Sequence, residues 1–237
     1  THEQSLVLKL NSDIKQERLD ALRTLIEMQK NGEISPFEKK GFVNNHIHTK
    51  YSFSPYSPTA ALYNAMKAGL DTAGIMDHDS VGGCMEFVEA GEIAGMSITC
   101  GVECRVLMNS TALNGRRINN PDQISVAYVA LHGIPHQNIV MCEEFLAPYR
   151  NERNIRNRKM TDKINDIMSK HDLYLDFDKD IASISLDKEG GSITERHILF
   201  ALSKKICDKF GKGEGVVTFL KNDLKLNISD KIAEVLS

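Results

Sequence analysis

Apolar and polar positions along this chain switch repeatedly between a helical and a strand-like rhythm. Between residues 13 and 30, Ile14, Leu19, Leu22, Leu25 and Ile26 recur at helical spacing, with Ser12 as the predicted N-cap and Gly32 as the stop. Gly41–Asn45 then reads as a short strand. Ser57-Pro58 opens a second helix, with Ser as cap and Pro at the first helical position. Ala60, Ala61, Leu62, Ala65, Met66 and Ala68 carry it to Gly69. Thr72–Met76 reads as the next strand, residues 83–94 as a helix ended by Gly95, and Ser97–Cys100 as a third strand. Residues 108–122 form a polar loop, and Ile124–Leu131 a fourth strand. Strand and helix alternating through short links predict parallel βα units and an α/β fold.

The rhythm changes after residue 141. Residues 143–170 are polar and helical, with Arg150, Arg153, Arg156, Arg158 and Lys159 close together. Residues 172–193 are mixed, and residues 194–210 read as a helix carrying Ile198, Leu199, Ala201, Leu202 and Ile206. Gly211–Ser237 reads as short helices. The pattern divides the chain into a helical N-terminal extension (1–40), a βα portion (41–141 and 194–237) and a helical insertion or cap (142–193).

Three short motifs fall at the predicted strand ends: His46-Ile47-His48-Thr49, Asp77-His78-Asp79 and Gly101-Val102-Glu103. In parallel βα folds, ligands and catalytic groups sit at the carboxyl ends of the strands. Imidazole nitrogen and carboxylate oxygen bind divalent metals. Residues i and i+2 of a strand point the same way, so His46 and His48 can face one cavity while Ile47 packs away. His78 is the predicted ligand of the second motif, with Asp77 or Asp79 behind it. Glu103 can bridge two metals through its two oxygens, and Arg105 stands near it to offset its charge. His132, at the end of the fourth strand, is a further candidate ligand. The basic run 150–159 reads as a solvated helix face, with Arg153 and Arg156 as cations that could instead meet an anionic group.

Composition adds boundaries. The chain has 237 residues, 41% apolar and 26% charged, with a formal charge of −3. That charge gives no general attraction to nucleic acid or to anionic membranes. No apolar run approaches the roughly 20 residues of a membrane span. Five cysteines without a Cys-x-x-Cys fit reduced thiols and a cytoplasmic location.

The ordered motifs resemble the PHP family, the polymerase and histidinol phosphatase domain, most closely over residues 41–105. The resemblance implies a distorted TIM-like (β/α)7 barrel, two or three Mn, Fe or Zn ions, and hydrolysis of phosphoesters. It implies His46, His48, His78 and Glu103 as metal ligands. A second likeness at Thr194-Glu195-Arg196-His197 implies His197 as a ligand and Arg196 as a phosphate contact. Two departures stand out. Phe53 and Ser54 occupy positions where the family carries an Asp or His, and no Asp-x-His occurs in this chain. The resemblance therefore implies a barrel short of its C-terminal strands, completed by chain beyond Ser237 or by a partner.

The leading expectation is a metal-dependent phosphoesterase, with Asp77 and Arg196 in catalysis and Arg105 and Arg196 on substrate. The substrate is a small phosphorylated molecule or short nucleotide, with an oligomer allowed. An amidohydrolase also opens on His-x-His, but its late catalytic Asp and carboxylated Lys or second His pair have no counterpart in the early Asp-His-Asp and Gly-x-Glu. A non-catalytic metal-binding module is the third reading, supported by the two departures.

Overall fold

The computed structural model describes residues 1–236. Helices α1 (His2–Lys9) and α2 (Lys15–Lys30) precede strand β1 (Phe42–Ile47), helix α3 (Pro58–Lys67) and strand β2 (Leu70–His78). Helix α4 (Cys84–Ala94) leads to β3 (Ser97–Leu107), and β4 (Val126–His132) leads to the long helix α5 (Ile139–Met168). Helices α6 (Glu195–Phe210), α7 (Glu214–Thr218) and α8 (Asp230–Leu236) follow a stretch of short 3-10 and π turns. The chain divides into two compact units, residues 1–153 with 185–193, and residues 154–184 with 194–236.

The first unit holds one four-stranded sheet in the order β1-β2-β3-β4. β1, β2 and β3 run parallel, as the alternation predicts. β4 does not: it pairs antiparallel with β3, Gly101 opposite His132 and Arg105 opposite Tyr128. The reason is local. The 108–125 connection contains no helix that would carry the chain back to the start of β3, so it returns alongside as a wide hairpin. Gly101 permits the tight packing here. A Cβ at that position would stand 2.5 Å from Met76 Cε and 2.6 Å from the Leu131 carbonyl.

The helix starts follow capping chemistry. Ser57 Oγ accepts the Ala60 N–H at 3.0 Å, and Pro58 occupies the first turn of α3. At α2 the cap differs from expectation. Ile14 is the N-cap residue, and Ser12 Oγ accepts its N–H at 3.2 Å. α5 begins four residues earlier than its polar run suggests, and it accommodates Pro148.

The core of the first unit packs Leu22, Leu25, Leu62, Ile75 and Phe87 from α2, α3, β2 and α4. Behind it lies a charged pair: Arg18 and Glu86, both 3% exposed, join side by side, and Glu86 also accepts the Thr59 hydroxyl at 2.6 Å. The second unit has its own smaller core of Met168, Leu173, Ile206 and Phe219. No helix among the described residues is long and apolar enough to cross a membrane. The five cysteines are free thiols.

Candidate metal centre

The parallel register sets the end of β1 beside β2 and the end of β2 beside the middle of β3, which runs on past the predicted Cys100 to Leu107. Ile47 pairs with Ile75, and His78 pairs with Glu103. Strand alternation then turns His46, His48, His78 and Glu103 toward one another. The His46 and His48 rings lie 5.0 Å apart, and the His48 and His78 rings stack at 4.6 Å. Glu103 Oε2 is the common point. It stands 2.9 Å from His78 Nδ1, 3.8 Å from His46 Nε2 and 3.9 Å from His48 Nε2.

The donor set fits a divalent ion. One atom each from His46, His48 and Glu103 lies within 4.8 Å of the others. The two Nε2 distances exceed hydrogen-bond length. Donors about 2.1 Å from a shared ion are themselves roughly 3–4 Å apart, which is the observed spacing. The Glu103 side chain is 16% exposed, a costly environment for an uncompensated carboxylate.

Asp77 stands one step away from the ligands. It is buried, and its oxygens accept the Thr49 N–H at 2.7 Å, the Thr49 hydroxyl at 2.6 Å and the Ser52 hydroxyl. Ser52 Oγ in turn lies 3.4 Å from His48 Nδ1. Burial pushes the Asp77 carboxyl above its ordinary range, against the pull of the Ser52 and Thr49 hydrogen bonds. Asp77 therefore braces the turn that carries His48.

β4 brings two more side chains. The exposed His132 ring lies 6.5 Å from that of His46. Tyr128 is a neighbour the sequence reading missed. Its ring is 6.3 Å from His78, and its hydroxyl accepts from Arg105 Nη2 at 3.4 Å. The antiparallel register that places Tyr128 opposite Arg105 has no signature in the local pattern of residues.

His197 and Arg196 belong to the second unit, at the start of α6. Arg196 is exposed. His197 is buried, its Nδ1 accepts the Thr194 N–H at 3.0 Å, and burial pushes its pKa down to about 4. Two arginines of α5 depart from a solvated face, while Arg158 stays exposed. Arg150 and Arg153 are buried, and Arg153 donates to Asp79. Arg156 pairs with Glu195 within the second unit.

Parallel strands that carry converging histidines and a carboxylate define an α/β protein with a His-His-Glu group able to hold a metal ion. The chain belongs to the PHP domain family, whose model matches residues 44–210. No curated protein matches it. Among solved structures, it is similar to a candidate metal-dependent phosphoesterase from Bifidobacterium adolescentis, with 22% identity over 76% of this chain and a TM-score of 0.54. It is also similar to an amidohydrolase from Chromobacterium violaceum with bound sulfate and no metal, with 19% identity over 75% of this chain and a TM-score of 0.51. The chain spans 57% and 53% of those two proteins.

Proposed function

We propose that this chain carries the metal centre of a metal-dependent phosphoesterase acting on a small phosphorylated molecule or short nucleotide. The observation that carries the reading is the convergence of His46, His48 and Glu103 around one ion-sized gap. Two or three divalent ions of Mn, Fe or Zn would supply Lewis acidity and an acidified water for in-line attack at phosphorus. His46, His48, His78 and Glu103 would hold the ions, with His132 as a further ligand. Arg105 would offset phosphate charge. Asp77 contributes by fixing the turn that carries His48. In the same reading, the sheet forms part of the family's distorted seven-unit barrel, and the free thiols suit the cytoplasm.

The test is a substrate comparison on Mn-loaded protein. Phosphoesters such as p-nitrophenyl phosphate are expected to be hydrolysed. N-acyl amino acids and cyclic amides are expected to remain intact, and turnover of these alone would assign an amidohydrolase instead. Bound metal with no turnover of any phosphoester would assign a non-catalytic metal-binding module.

A further inference from the structure

A buried charged network joins α5 to the turn after β2, and the proposed chemistry does not use it. Arg153 is 9% exposed and donates to the Asp79 carboxylate. Arg150 is 6% exposed and donates to the Asp79 carbonyl at 3.2 Å and to both oxygens of Glu143. Asp79 itself takes a left-handed conformation, φ 48°, a region that Asp tolerates better than most residues with a side chain.

Asp79 sits between two ligands. It follows His78 in the chain, and its N–H donates to the Glu103 carbonyl at 2.9 Å. Any shift of Asp79 is therefore passed to the His78 ring and to the Glu103 backbone. We propose that Arg153 and Arg150 are positioning residues of the metal centre, acting through Asp79 to fix His78 and Glu103. This rests on the metal-centre reading above. A buried ion pair of purely structural value would stabilise the fold without changing ion affinity in the folded protein. Groups behind metal ligands have a different signature, since removing them typically costs about 10- to 100-fold in affinity.

The experiment measures Mn(II) affinity by calorimetry on the full chain, for wild type, Arg153→Met, Arg153→Lys and Asp79→Asn, with circular dichroism to establish folding. Glu86→Ala serves as a control that breaks a buried ion pair remote from the ligands. Arg153→Met and Asp79→Asn are expected to bind roughly 10- to 100-fold more weakly. Arg153→Lys is expected to recover part of the loss, and Glu86→Ala to bind as wild type. Wild-type affinity in either folded Arg153→Met or folded Asp79→Asn overturns the positioning role. If neither variant folds, Arg153→Lys decides: weakened binding supports the role, and wild-type affinity overturns it. A wild-type chain that binds no Mn(II) overturns the underlying metal reading as well.

Discussion

His78 Nδ1 lies 2.9 Å from Glu103 Oε2, and the next residue closes the same pair, with the Asp79 N–H bonded to the Glu103 carbonyl at 2.9 Å. Side chain and backbone thus tie the second motif to the third. Glu103 supplies the only carboxylate in the converging trio of His46, His48 and Glu103. Glu103→Gln keeps its shape and removes its charge. Mn(II) affinity measured by calorimetry is expected to fall at least about tenfold, with the fold retained.

Asp77 accepts three hydrogen bonds from Thr49 and Ser52 in a buried setting. Asp77→Ala leaves those donors without their acceptor. Urea denaturation is expected to show a loss of about 3 kcal/mol. Metal affinity is expected to weaken as well, because the Ser52 hydroxyl that lies against His48 loses its anchor.

Arg18 and Glu86 form a buried pair that connects α2 to α4, and Glu86 also holds the start of α3 through Thr59. Breaking such a pair from one side strands the other charge and costs about 3–5 kcal/mol. Glu86→Ala is expected to lose stability of that size in urea melts, while metal content per folded molecule stays unchanged.

Burial pushes the Tyr51 hydroxyl up to about 12 from an ordinary 10. The unfolded chain therefore ionises first as pH rises. Stability is unaffected below pH 10 and falls between pH 10 and 12, by about 3 kcal/mol at most. Tyr51→Phe is expected to remove that part of the alkaline loss, measured by thermal melts across pH 8 to 12.

The parallel part of the sheet and its motifs were legible because each depends on local signals: strand alternation, Pro58 after Ser57, and turn residues at helix ends. β4 was legible as a strand but not in direction. Direction depends on how the 108–125 loop returns, and no short-range pattern encodes that. Tyr128 was missed for the same reason. Arg150 and Arg153 looked like solvent-facing charges because periodicity does not reveal which polar face meets a buried carboxylate such as Asp79. The aspartates of the second motif share a residue type but differ in partners, Asp77 meeting hydroxyls and Asp79 an arginine, and only the packed structure separates them.

If His46, His48 and Glu103 hold the ion on which hydrolysis depends, losing one of them must remove ion and activity together. Metal content and phosphoesterase turnover measured side by side in wild type and His48→Ala test this. Both are expected to fall together in the variant while its circular dichroism spectrum is retained. Full turnover in a metal-free His48→Ala protein would contradict it.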